Sequence, residues 1–151
     1  MTRKHYLPEG LPAPAPYNDG LAEEYWKANR RHELVVQRCT KCKTWQWGPD
    51  YICYNCHSSE LTYEQVAKTG VIYSWERCWY PVHPALRDGV PYIVVLVELP
   101  QAGNVRMVGN LVGDPEQKVV IGSKVEAVFE DHDDDPNAED HFTLVHWKVV
   151  S

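Results

Sequence analysis

Cys39-Thr40-Lys41-Cys42 and Cys53-Tyr54-Asn55-Cys56 stand ten residues apart, joined by Lys43-Thr44-Trp45-Gln46-Trp47-Gly48-Pro49-Asp50-Tyr51-Ile52. Two residues between cysteines let both thiolates of a tight turn point at one ion. Two such turns facing each other complete a tetrahedral shell of four sulfurs. Two disulfides are the other use of four cysteines, but adjacent pairs of this kind fit a metal and a reducing compartment better. Zinc is the expected occupant, held by Cys39, Cys42, Cys53 and Cys56. A closed shell leaves no open position for water or substrate, so this zinc is read as a structural staple. Iron, in a rubredoxin-like electron carrier, is the rival occupant. Turns of this type often carry glycine just after the second cysteine; here Lys43 and His57 stand there.

Working outward, 151 residues with 44% hydrophobic content are enough for one moderate domain plus a small metal-stapled module. No apolar run is long enough to cross a membrane, and the first residues lead into prolines rather than an apolar signal core, so a cytoplasmic location is expected. The fifth cysteine, Cys78, has no neighbour to pair with in the sequence, which also suits a reducing compartment. The formal net charge of -6 argues against a phosphate-backbone binder, whose affinity comes mostly from Lys and Arg.

Residues 1–17 carry prolines at 8, 12, 14 and 16 and read as an extended arm, either a free terminus or a segment laid across a partner. A helix is expected within residues 18–33, from Gly20 to Glu33, with Asn18 or Asp19 as its cap. Glu23 and Glu24 near its start and Arg30, Arg31 and His32 near its end suit the helix dipole. Leu21, Tyr25, Ala28 and His32 form one stripe with Trp26 on its flank, a face wide enough to bury against the ribbon or against another protein and read first as ordinary packing. The ribbon itself is assigned to residues 34–66, entered by the strand Leu34–Arg38, with Ser59–Lys68 as a short connector. Residues 67–151 then switch to β. Five strand candidates, Gly70–Tyr80, Pro91–Leu99, Val105–Val112, Lys124–Glu130 and Phe142–Val149, are β-branched or aromatic-rich and broken by Gly, Pro or Asp clusters. Five short antiparallel strands close most economically as an OB-type Greek-key barrel, with an SH3-like barrel as the alternative. Gly70 and Gly109 are the candidate bend or bulge positions, plain turns being the alternative use of glycine there. The fold class is therefore α+β, mostly β: an N-terminal helix, a rubredoxin-like zinc ribbon and a C-terminal five-stranded OB barrel.

The order of a Trp-bearing helix, Arg38-Cys39-x-x-Cys42, Cys53-x-x-Cys56-x-Ser58, Gly70-x-Ile72-Tyr73-Ser74, Pro91-Tyr92 with Val97-Glu98-Leu99, and Ile121-Gly122-x-x-Val125 resembles a known family. These are the two-part zinc-ribbon and OB-fold proteins long catalogued as a domain of unknown function and found as acyl-CoA-associated subunits. The resemblance covers residues 18 to 150. It implies a noncatalytic subunit working beside a thiolase, a thiolase-like aldolase or a related acyl-CoA enzyme, in a hetero-oligomer, bridging partners and helping to shape a site for CoA or acyl-CoA. Departures are modest: Thr40 and Tyr54 follow the first cysteine of each pair, Lys43 replaces the frequent glycine, and the Pro81–Gly89 loop is variable. Trp45, Trp47, Trp75, Trp79, Tyr73 and Tyr80 would suit an aromatic acyl group, and one system of the family is a thiolase that cleaves benzoylsuccinyl-CoA.

The chain's own acid, base and nucleophile candidates are scattered. Cys78 lies beside Arg77, but a free cysteine in a strand is usually buried and inert. His83 and His146 stand in no recognisable constellation with it, so no catalytic residue is assigned. Lys41, Lys43, Lys68 and Arg77, with Arg87 and Arg106, are the cations available for CoA phosphates. The run Glu130-Asp131-His132-Asp133-Asp134-Asp135-Pro136 fails the EF-hand template, because Pro136 replaces its glycine and Phe142 its bidentate glutamate; a solvated hairpin loop is expected instead. Two other functions compete with the accessory subunit. One is a standalone nucleic-acid-binding OB protein, stacking bases on Tyr73, Trp75 and Trp79 but opposed by the acidic charge; the other is the iron electron carrier.

Overall fold

The computed structural model describes residues 4–11, 15–17, 19–133 and 141–151. One helix, α1 (Glu23–Arg30), precedes eight strands: β1 (Leu34–Cys39), β2 (Trp45–Gln46), β3 (Leu61–Val66), β4 (Thr69–Cys78), β5 (Tyr92–Leu99), β6 (Val105–Asn110), β7 (Lys124–His132) and β8 (Phe142–Val149). The helix is shorter than its charge pattern suggests, and both ends show why. Asp19 Oδ1 accepts the backbone N–H of Leu21 at 2.9 Å and that of Ala22 at 3.4 Å, holding residues 19–22 in a turn ahead of the helix. At the other end His32 adopts φ 56, Glu33 N–H returns to Ala28 O and His32 N–H to Asn29 O, a Schellman closure built without glycine. His32 is thereby removed from the expected stripe. Ala28 and Asn29 form the buried face of α1, and Tyr25 meets the Trp47 ring edge-on at 4.9 Å, so the helix does pack against the ribbon.

A three-stranded sheet ordered β2-β1-β3 carries the ribbon. Its third strand occupies most of the segment expected to be a connector. Leu34 to Cys39 pair along their whole length with Val66 to Leu61, burying Leu34, Val36 and Val66 in the same apolar cluster as the barrel. Tyr63 and Val66 therefore belong to a strand whose alternation was too weak to separate from a loop.

The second sheet runs β6-β5-β4-β7-β8, all antiparallel. The order curls back on itself, and a bridge between Leu111 and Trp147 joins the end of β6 to β8, leaving a nearly closed five-stranded OB-type barrel. Ile72, Ile93, Val95, Val97, Leu99, Met107, Leu111, Val125 and Trp147 fill it. The long first strand, β4, serves two neighbours. It pairs with β5 from Val71 to Cys78 and with β7 through Thr69–Val71, and a bulge between Ile72 and Ser74 bends it between these roles. Neither expected glycine sits at that bulge. Gly70 instead permits a close crossing: a Cβ there would collide with Val97 Cγ1 and stand 2.9 Å from the Glu98 carbonyl oxygen. Gly109 does the same for the seam, where a Cβ would come within 2.7 Å of Trp147 Cδ1.

Residues 4–8 lie across this chain's own barrel, where Tyr6 N–H donates to Glu130 Oε2 at 2.6 Å and His5 stacks on His132. Residues 12–14 and 18, and with Asn18 one of the two expected caps, lie outside the described residues. The acidic run also divides differently from its sequence reading. β7 runs two residues past its expected end at Glu130, taking Asp131 and His132 out of the loop, whereas residues 134–140 lie outside the described residues.

Candidate metal centre

The two cysteine turns have the same geometry. In the first, Lys43 N–H donates to Cys39 O at 3.0 Å and Cys39 N–H to Thr44 O at 2.9 Å; in the second, His57 N–H donates to Cys53 O and Cys53 N–H to Ser58 O, both at 2.8 Å. Each turn closes on a residue in the left-handed region, Lys43 at φ 64 and His57 at φ 59. That backbone conformation is the physical reason glycine is frequent at these positions. Lys and His here accept a strained backbone.

The turns bring all four sulfurs within 4.8 Å of one another. Cys39 Sγ lies 3.6 Å from Cys56 Sγ and Cys42 Sγ 3.5 Å from Cys53 Sγ. These separations are far longer than the roughly 2.05 Å of a disulfide. They match a tetrahedral zinc shell, whose Zn–S bonds of about 2.3 Å set S···S edges near 3.8 Å. The donor set therefore fits zinc. Hydrogen bonding with the Thr44 side chain and backbone lowers the Cys42 thiol, whereas, against the Ser58 backbone hydrogen bond, burial and the facing Cys42, Cys39 and Cys53 sulfurs push Cys56 up, so the four sulfurs titrate as one group. The first cysteine of each pair is buried, whereas Cys42 is half-buried and Cys56 exposed, so the centre sits at the ribbon's tip with one edge towards solvent.

Behind the metal centre, a polar network that sequence reasoning missed holds the intervening loop. Gln46 Nε2 donates to Gln37 Oε1 at 2.7 Å and to Ile52 O at 3.2 Å, while Gln37 Nε2 donates to Asp50 O and Gln37 Oε1 accepts Asp50 N–H. Both glutamines are buried. The only signal for this was two glutamines at ordinary strand positions, which is no signal at all without the fold.

The cations named for CoA phosphates do not form one cluster. Lys41 and Lys43 are exposed at the first cysteine turn, with Lys41 Nζ 3.7 Å from Glu60. Lys68, between the two sheets, donates to His32 O. Arg77 is tied to the carbonyls of Pro115 and Gln117, Arg106 lies 3.6 Å over the Tyr73 ring and pairs with Glu98, and Arg87 sits exposed on a short 3-10 turn. His83 caps that same turn, accepting Ala85 N–H through Nδ1. Cys78 is half-buried next to Tyr92, and His146 lies in β8 beside Glu130. Exposed large apolar side chains include Tyr51, Ile52 and Tyr54 around the second cysteine turn, Trp79, Tyr80 and Val82 in the loop after β4, and Val120 and Ile121 before β7. Among the described residues no helix is long and apolar enough to cross a membrane.

Comparison with known proteins agrees with this geometry. Residues 26–62 match the rubredoxin-like zinc ribbon domain of ChsH2, and residues 63–130 match its C-terminal OB-fold domain. A solved chain described as Ltp2-ChsH2(DUF35) aldolase superposes with a TM-score of 0.72 at 33% identity, covering 89% of this chain and 98% of that one. A DUF35 protein of unknown function from Sulfolobus solfataricus shares the fold, at a TM-score of 0.57 and 14% identity over 85% of this chain and 84% of its own. A DUF35 domain-containing scaffold protein from Methanocaldococcus jannaschii is 30% identical over 125 residues, 77% of this chain and 84% of its own length. A probable enoyl-CoA hydratase alpha subunit from Thermomonospora curvata is 38% identical over 115 residues; the match takes in 76% of this chain but only 34% of that protein, so this chain spans about a third of it. The ribbon, the barrel and their order together place the chain in the DUF35 family of zinc-ribbon and OB-fold proteins to which ChsH2 belongs.

Proposed function

We propose that this chain is a noncatalytic, zinc-stapled subunit of an acyl-CoA enzyme complex whose thiolase-type partner carries the nucleophile and base. The observation that carries this reading is the end-to-end match to the DUF35 chain of an aldolase, with the metal centre intact and built as a closed staple. Two relatives described as a scaffold and as a hydratase subunit point to the same kind of role. The exposed rings at Tyr51 and Tyr54 on the second cysteine turn and at Trp79 and Tyr80 in the loop after β4 supply apolar surface on both the ribbon and the barrel, which suits a bridge between catalytic chains. Lys41 and Lys43, exposed beside the metal centre, are the cations best placed to meet a CoA phosphate at such an interface.

The test is a pull-down of the tagged chain from its host, with mass spectrometry of retained proteins, zinc analysis, and acyl-CoA turnover by the retained enzyme with and without the chain. A thiolase-fold partner, one zinc per chain, and turnover that depends on adding the chain are expected. Recovery of nucleic acid, or of no partner, would overturn the proposal.

A further inference from the structure

The four sulfurs of the metal centre are not equivalent. Cys39 and Cys53 are at 0% exposure, whereas Cys42 is half-buried and Cys56 is the one exposed residue of the set. The two accessible sulfurs also differ in what is bonded to them. Cys42 Sγ lies 3.2 Å from the Thr44 hydroxyl, and Asn55 Nδ2 donates to that hydroxyl oxygen at 3.1 Å, which leaves the hydroxyl hydrogen to point at the sulfur. The Thr44 backbone N–H and the Asn55 amide reach the same sulfur. Cys56 takes one backbone donor, the Ser58 N–H, and among the described residues no side-chain O–H or N–H reaches it. The difference is written in the two turns. Thr44 and Ser58 each follow the second cysteine of a pair by two residues, but the Ser58 hydroxyl oxygen is turned to the Glu60 N–H at 3.1 Å, and Asn55, although it belongs to the second turn, gives its amide to the first.

Every ligand of a zinc shell is a thiolate, so access and the number of donors on each sulfur decide which of the four reacts. A hydrogen bond to a thiolate draws off part of its charge and occupies a direction of approach. Burial closes Cys39 and Cys53 to any reagent larger than water, and the Thr44 and Asn55 donors cap Cys42. Cys56 combines the most open position with the fewest donors.

We propose that Cys56 is a modification site built into the ribbon: a soft electrophile of the α,β-unsaturated carbonyl class adds to its sulfur and so opens the metal centre. In the addition a lone pair of the Cys56 sulfur forms a bond to the β-carbon, the π pair of the carbon–carbon double bond moves to the α-carbon, and that carbon takes a proton from water. The thiolate becomes a neutral thioether, leaving three thiolates and a far weaker fourth donor. The loop that the centre fastens carries Tyr51, Ile52 and Tyr54, so the same addition loosens the ribbon's exposed apolar surface. The proposal concerns the isolated zinc-loaded chain and stands apart from the identity of any partner. It is tested on the full chain carrying Cys78→Ser, which removes the spare thiol. Substoichiometric N-ethylmaleimide is the electrophile, a chromogenic chelator reads released zinc, and mass spectrometry maps the chains that hold a single adduct. Cys56 is expected to carry at least threefold more adduct than any other ligand, with one zinc released per adduct. Thr44→Val, compared in its zinc-loaded form, removes the hydroxyl from Cys42 without replacing a ligand and should raise the Cys42 share of single adducts at least threefold. Single adducts led by Cys39, Cys42 or Cys53 in the parent chain, a Cys56 adduct that keeps its zinc, or an unchanged Cys42 share in Thr44→Val would each overturn it.

Discussion

The ribbon and the barrel solve the same problem with opposite materials. The barrel excludes water with aliphatic strands, among them Ile72, Ile93, Val95 and Val97 at 0% exposure, sealed by Trp147. The ribbon's base shares that core through Leu34, Val36 and Val66, with Trp45 and Trp47 packed against it, but its tip is held by the buried Gln37 and Gln46 and by four sulfurs. A tip of this size buries too little apolar surface to fix its own chain. Its order must therefore come from metal and from satisfied polar groups, whereas the barrel's comes from area removed from water. The lesson is that one chain holds two stabilities with different sensitivities.

The largest separation should come from the ligands. Cys39→Ser or Cys53→Ser removes a buried sulfur, and since structural zinc supplies about 10 kcal/mol or more in small modules, the ribbon is expected to lose zinc and unfold while the barrel keeps its β signature. Metal analysis with circular dichroism checks this; one zinc per chain retained in either variant would break the comparison. Next, Gly70→Ala attacks only the barrel, because its new methyl meets Val97 and the Glu98 carbonyl. A loss of about 1–3 kcal/mol in chemical denaturation is expected, with zinc content unchanged. Gln37→Leu is the ribbon's counterpart. It strands the Gln46 amide and Asp50 N–H, so about 1–3 kcal/mol should be lost from the ribbon, read as faster zinc release to a chelator.

Acid sharpens the comparison from the barrel's side. Burial works against the charged form of Glu130, but the imidazole of His146, the Tyr6 N–H and the imidazole of His132 outweigh it and hold the carboxyl down at about 2. Its folded value lies below the ordinary 4.5, so the stability it contributes is present above about 4.5 and lost as pH falls towards 2. Glu130→Gln should flatten that part of the denaturation-against-pH curve; an unchanged slope would contradict the assignment. Arg106→Ala should do least. Its contacts with Tyr73 and Glu98 lie on the outer face of the barrel, and a change of no more than about 1 kcal/mol is expected in thermal unfolding.

Much of this division was legible in the residues. Cysteine spacing announces the metal centre because thiolate chemistry is local, and the β-branched and aromatic runs at Tyr92–Leu99 and Phe142–Val149 announce strands because such side chains suit a pleat and Gly, Pro and Asp clusters bound them. What stayed hidden depends on contacts distant in sequence. Leu61–Val66 is a strand because β1 lies beside it, and its own alternation is blurred by Tyr63 and Glu64. Glu130 reads as a strand end and the first acid of a solvated run until β8 brings His146 and the N-terminal arm brings Tyr6 against it, more than a hundred residues away in the latter case. Gly70 and Gly109 stand out in the sequence, but only the fold shows that they allow close approach rather than a bend.

The most direct test is a pair of amide-resolved nuclear magnetic resonance spectra of the zinc-loaded chain, before and after chelation. The account predicts that amides from Cys39 to Leu61 lose dispersion while those of Ile72, Ile93, Val97 and Trp147 stay in place. Collapse of the whole spectrum would contradict the division, as would a ribbon that remains folded after its zinc has gone.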